Sequence, residues 1–140
     1  MRLVEARLLA LSLFHKHNLS AWVFVFIHAK QLCGRCWIPE KVIGLSKPIA
    51  LVNSPDTVEQ ILLHEIAHAL SGRRDHGREW KETARRIGCR ELTSTIMVEP
   101  VPGKWRYRCG NCRAVYHRHR RPKTELSCGK CRGKVLEVVA

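Results

Sequence analysis

His64-Glu65-Ile66-Ala67-His68 puts two imidazoles and a carboxylate within five residues. Residues four apart share one face of a helix, so His64 and His68 point the same way and can hold one metal ion. Glu65 is rotated from His64 by about 100° on a regular helix. That places it beside the open position of the ion, where a carboxylate can take a proton from bound water. Catalytic zinc takes three protein ligands and a water, so a third ligand is needed. One widespread pattern sets a Gly three and a His six residues past the second His. Here those places hold Ser71 and Arg74. Gly72 ends the helical pattern, and Arg73-Arg74-Asp75 can turn the chain back. His76 is then the favoured third ligand, with Asp75, Glu79 and Glu82 as chemical alternatives. His15, His17 and His28 lack such a context and read as ordinary surface or core histidines.

The elements that must position these groups follow from periodicity and punctuation. Ser54-Pro55-Asp56 is a helix start, because Ser or Asp can cap and Pro fits a first turn. The helix should run from Asp56 to Leu70 or Ser71, burying Val58, Ile61, Leu62, Ile66, Ala69 and Leu70 on the face away from the metal. Residues 76–88 read as the next helix, begun by His76 and closed by Gly88. Val4, Leu8, Leu11 and Phe14 recur at helical spacing, so residues 3–17 read as an amphipathic helix resting on that stripe. The β-branched and aromatic run 21–28 reads as a strand, and "QLCGRCW" and "VIGLS" as two more. Cys33-Gly34-Arg35-Cys36 reads as a hairpin turn through Gly34, and Cys89 as a small buried residue.

Cys109-x-x-Cys112 and Cys128-x-x-Cys131 lie 15 residues apart. That is the spacing of a zinc ribbon, two knuckles gripping one tetrahedral ion. A site closed by four thiolates is structural. So small a segment has too little core to fold alone, and zinc supplies much of its folding free energy. Short strands are expected around "KWRYRC", "AVYHRH" and "KVLEVV". Residues 91–104, with two prolines and a glycine, read as a linker between a core at 1–90 and a ribbon at 105–140.

The chain carries 25 Lys and Arg against 12 Asp and Glu, a formal net charge of +13. The last 40 residues hold 11 of the basic and 2 of the acidic groups. Such an asymmetry suits a polyanionic partner, nucleic acid first. Arg106, Arg108, Arg113, Arg118, Arg120, Arg121 and Lys123 can neutralise phosphates. Trp105, Tyr107 and Tyr116, interleaved with them, can stack on exposed bases, although packing in the thin ribbon core is expected for at least one. The most apolar run, "LSAWVFVFI", is nine residues long, where a membrane span needs roughly 20. "LLALSLF" follows Glu5 and precedes no small-x-small cleavage site, so it reads as a helix and not a secretory signal. Seven cysteines, four of them in paired knuckles, suit metal binding in a reducing cytoplasm better than a disulfide framework.

"HEIAHAL" followed by "HGREWKETARRIG" resembles the SprT-like zinc metalloproteases, which include the Spartan proteases. "VIGLSKPIAL" is similar to the strand and turn that precede the active helix in that family, and the four-cysteine ribbon is usual in its short bacterial and phage members. Many members carry Pro where this chain has Arg78. The resemblance implies an α+β zincin-like core: an N-terminal helix, a small three-stranded sheet, the HExxH helix and a following helix, with a β zinc ribbon attached. It implies His64, His68 and His76 as ligands of a catalytic Zn2+, Glu65 as catalytic base and a second, structural Zn2+. It also implies digestion of proteins held on or crosslinked to DNA, single-stranded or distorted, in a cytoplasmic, DNA-associated protein. The alternatives are a non-catalytic zinc-containing DNA-binding or regulatory protein and a zinc hydrolase of another class, such as a peptidoglycan amidase. Retention of Glu65 argues against the first, and the basic ribbon and missing export signal against the second.

Overall fold

A computed structural model describes residues 1–90 and 98–137, without the side chains of 135–137. It divides into two compact units, Met1–Val101 and Pro102–Ala140. The fold is α+β. Among the described residues no helix is long and apolar enough to cross a membrane.

In the first unit α1 (Leu3–Lys16) leads to β1 (Val23–Ile27), β2 (Gly34–Trp37) and β3 (Val42–Ser46), then α2 (Lys47–Val52), α3 (Pro55–Ser71) and α4 (Arg78–Arg86). The sheet order is β1-β3-β2. β1 runs parallel to β3 and β2 antiparallel to it, with Trp37 opposite Val42 and Gly34 opposite Leu45. Phe24, Ile43 and Leu45 on the sheet meet Phe14 of α1 and Val58, Ile61, Leu62 and Ile66 of α3 in one buried core. Both α1 and β2 pack against α3. The helix that carries the His-Glu-His group is therefore held on two sides.

Four sequence expectations need correction. First, Val4, Leu8 and Leu11 do not face the core: they are 71%, 63% and 48% exposed. The buried residues of α1 are Ala6, Ala10, Leu13 and Phe14. Two alanines on one face let the helix approach its neighbours closely, which the larger stripe would prevent. Second, Cys33–Cys36 is not a turn. Gly34–Trp37 is strand β2, and the chain reverses after it, where the Lys41 N–H donates to the Ile38 carbonyl. Pro39 presets the second position of that turn. Third, Lys47-Pro48 opens a helix, α2. The Ser46 hydroxyl caps it by accepting from the Ile49 N–H, and Pro sits in its first turn, where a missing donor does no harm. Fourth, α4 begins at Arg78 with Gly77 as its cap, so His76 precedes the helix instead of starting it.

Within the stretch read as a linker, residues 91–97 lie outside the described residues. Val98 and Val101 belong to the first unit and pack against its core. There Asn53 holds Glu99 at both ends of its peptide: Asn53 Oδ1 accepts from the Glu99 N–H and Asn53 Nδ2 donates to its carbonyl. Gly103 belongs to the second unit, where a Cβ would collide with the Arg118 carbonyl carbon.

The second unit is a four-stranded antiparallel sheet in the order β5-β4-β7-β6. Its strands are β4 (Trp105–Cys109), β5 (Val115–Arg118), β6 (Leu126–Ser127) and β7 (Lys134–Glu137). Residues 138 and 139, expected to extend the last strand, lie outside the described residues. Tyr107, Cys109 and Cys128 form the small buried core.

Candidate active site

His64 and His68 project from α3 toward a cleft of about 410 Å³, whose other wall is β2 and the turn after it. Gly72, at φ 66°, ends α3 in the left-handed conformation that glycine adopts without strain. The chain then returns through Arg73–Asp75. Asp75 fastens this return: its Oδ1 accepts from the Gly77 N–H at 2.9 Å and its Oδ2 from Arg73 at 3.1 Å. A side chain at position 77 would meet that same Oδ1 at 2.7 Å. His76 is thereby brought to the other two histidines. Its Nε2 lies 3.0 Å from Nε2 of His64 and 3.1 Å from Nε2 of His68.

The alternatives to His76 are engaged elsewhere. Glu79 lies 3.7 Å from Arg73 and Glu82 3.0 Å from Arg78, both pairs exposed. Trp80 is buried beneath the three imidazoles, its ring 4.8, 5.5 and 4.7 Å from those of His64, His68 and His76. The indole thus packs against all three rings.

The donor set fits a zinc ion. His68 Nδ1 lies 2.6 Å from the Arg73 carbonyl oxygen. A carbonyl can only accept, so Nδ1 carries the proton and Nε2 presents its lone pair to the cluster. Burial, and then the neighbouring His68 and His76, push the His64 imidazolium down to about 4, which keeps that ring neutral and able to ligate. In a tetrahedral zinc site with Zn–N near 2.0–2.1 Å, nitrogens sit about 3.3–3.4 Å apart. The separations of 3.0 and 3.1 Å are close to that spacing.

Glu65 also lines the cleft and is 8% exposed. Burial raises its carboxyl to about 7. Gly34 of β2 explains how the carboxylate fits. A Cβ at that position would lie 3.0 Å from Glu65 Cγ and 3.2 Å from Oε1. Gly34 is thus favoured by close approach, a role its sequence context did not suggest. Cys36 shares the cleft, but burial, and then the Glu65 charge, push its thiol up to about 12. A thiol so held stays protonated near neutral pH and is a poor nucleophile. Cys33 cannot bridge to it: three residues of extended strand span about 10 Å, well beyond disulfide reach. Cys89 is buried as expected and its thiol is raised to about 11, chiefly by burial.

In the second unit the ligand atoms of Cys109, Cys112, Cys128 and Cys131 lie within 4.8 Å of one another. Cys109 and Cys131 sulfurs are 3.5 Å apart, as are those of Cys112 and Cys128. These are non-bonded distances, and all four thiols are free. Backbone N–H groups of Asn111, Lys130 and Gly133 donate to Cys109, Cys128 and Cys131. That is the donor pattern of a thiolate knuckle, so the set fits a structural zinc. The Tyr116 hydroxyl, 3.0 Å from Cys128 Sγ, is the main cause that lowers this thiol to about 6.

The residues read as nucleic-acid contacts divide in two. Arg106, Arg108, Arg113, Arg118, Arg120, Arg121 and Lys123 are exposed. Tyr107 is instead 6% exposed and packed in the ribbon, which removes its ring as a stacking surface. Tyr116 braces the cysteine cluster. Trp105 is half-buried, with Lys104 and Arg121 over its ring at 5.1 and 5.6 Å. Alternation along β4 places Tyr107 and Cys109 inward and Arg106 and Arg108 outward.

Comparison with known proteins agrees with this architecture. The model of the SprT-like family matches residues 6–100. A Protein SprT-like from Oceanobacillus iheyensis is 28% identical over 136 residues, covering 93% of this chain and 90% of that protein. A Protein SprT-like from Lactococcus lactis subsp. lactis is 29% identical over 84 residues, 56% of each. Among solved structures, the metallopeptidase zymogen jannalysin of Methanocaldococcus jannaschii superposes with a TM-score of 0.53 at 15% identity, covering 65% of this chain and 85% of that one. The metallopeptidase zymogen abylysin of Pyrococcus abyssi gives 0.50 at 15% identity, covering 59% and 78%. These two likenesses show a shared fold. With the family model matched over most of its length, the chain belongs to the SprT-like family.

Proposed function

We propose that this protein is a zinc-dependent endopeptidase that acts on proteins held on or crosslinked to DNA, with the ribbon gripping the DNA. The observation that carries the proposal is the convergence of three neutral-capable imidazoles beside a buried carboxylate in an open cleft. A zinc ion held by His64, His68 and His76 would supply Lewis acidity toward water and a peptide carbonyl. Glu65 is suited to hold and move a proton, because its carboxyl, raised to about 7, lies near neutral pH. It takes the proton of the attacking water and returns it to the leaving amine. Strand β2 is the edge of its sheet and borders the cleft. Its outer backbone groups can pair with an extended polypeptide and orient it past Glu65.

The ribbon's exposed arginines supply the positive charge that a phosphate backbone requires. Trp105 is the ring best placed to meet a base, after exchange of the cations that now cover it. A basic protein bound to single-stranded DNA should be cut by the wild type and spared by Glu65→Gln, with faster cleavage when DNA is present. Cleavage that ignores DNA would remove the DNA part of the proposal. Unaltered biological activity of a zinc-retaining Glu65→Gln protein would favour the non-catalytic, regulatory alternative.

A further inference from the structure

Trp37 and Glu40 line the catalytic cleft and also a second hollow of about 370 Å³, completed by Val25 and Val42 on the face of the sheet. Three of its four walls are apolar or aromatic, and the fourth is a carboxylate. Glu5, Asp56, Asp75, Glu79 and Glu82 each meet an arginine. Glu40 is exposed and makes no ion pair among the described residues. In a chain of net charge +13, an unpaired carboxylate at an apolar hollow beside the cleft is chemically distinctive. Pro39 holds it in the tight turn between β2 and β3.

Resting on the endopeptidase reading, we infer that this hollow is a specificity subsite for a lysine or arginine side chain of the polypeptide in the cleft. The alkyl stem lies along Trp37, Val25 and Val42, and the cation reaches Glu40. Such a side chain needs an apolar path ending in a charge, which is the order of groups found here. Arg35 already lies over the Trp37 ring at 5.3 Å. The incoming cation is therefore placed by the Glu40 carboxylate, and the ring serves the stem. Substrates rich in lysine and arginine would be preferred for this reason, independently of any DNA they carry.

The test uses the full-length, zinc-loaded chain and fluorescent peptides that differ at one position, scanned along the peptide: lysine, norleucine or glutamate. Norleucine keeps the stem and removes the charge. Binding is read by anisotropy on the Glu65→Gln protein and cleavage on the wild type. At one position lysine should bind and be cut better than norleucine, by up to about fivefold, the upper end for an exposed ion pair. Glu40→Gln should bring that ratio near one, and Glu40→Lys should make glutamate the preferred residue. No lysine preference at any position, or a preference that survives Glu40→Gln, would overturn the subsite. Lysine-selective binding that depends on Glu40 without any cleavage would keep the subsite and defeat the endopeptidase reading. Cleavage without selectivity would do the reverse.

Discussion

At the scale of single residues, the site depends on two opposed effects of burial. Glu65 is held near 7 and His64 near 4. A carboxyl raised in the fold stabilises the folded state below its unfolded value near 4.5, and that contribution is lost as pH rises through 7. His64 works in the other direction: its contribution is complete above about 6.5 and lost as pH falls toward 4. Denaturant titration of the metal-free protein tests this. Glu65→Gln should be more stable than wild type at pH 8, by on the order of 2 kcal/mol, with that advantage shrinking as pH falls and gone by about pH 4. Equal stability at pH 8 would mean that the carboxylate is not desolvated. Gly34 gives a second prediction, because an added methyl would press on the Glu65 side chain and on the Gly44 carbonyl oxygen, each at 3.0 Å. Gly34→Ala should lower kcat by roughly 10- to 100-fold through misplacement of the carboxylate, with zinc content retained and KM little altered. A rise in KM alone would assign Gly34 to peptide binding instead.

At the scale of elements, α3 and the turn that follows it decide whether three histidines meet. Much of this was legible. Spacing put His64 and His68 on one face, and Ser54-Pro55 and Gly72 marked the helix ends. What spacing could not show was the closure. Asp75 Oδ1 on the Gly77 N–H fixes the return of the chain, and a turn held by one side chain leaves no periodic trace. The same blindness explains Gly34, whose reason lies on another element altogether. It also explains α1, where a stripe of long aliphatics at helical spacing outweighed two alanines that in fact face the core. α2 has a readable signal in Ser46 followed by Pro48, which cap and open a helix as readily as Lys-Pro makes a turn. Asp75→Ala should loosen the return and weaken zinc binding to the core roughly tenfold, as loss of outer-sphere support does. Competition with a chelator measures this, and an unchanged affinity would show that the turn holds its shape without Asp75.

At the scale of the whole molecule, two units carry two ligand sets of different chemistry: exposed and buried imidazoles in one, four thiols in the other. Among the described residues the ribbon has a small core of its own, so its fold should depend on its metal. Cys128→Ser should abolish the cooperative folding of that unit, and with it the DNA binding proposed for the ribbon, while the first unit unfolds at its original midpoint. Loss of both units would contradict the division.

On the proposed function, the three-histidine group and Glu65 form a hydrolytic zinc site. Zinc content and cleavage of unfolded casein, measured side by side on wild type and Glu65→Gln, test it most directly. Both proteins should hold two zinc ions per chain, one for each ligand set, and only the wild type should cut. Equal cleavage by both, or a wild type that holds its zinc and cuts nothing with or without DNA, would contradict it.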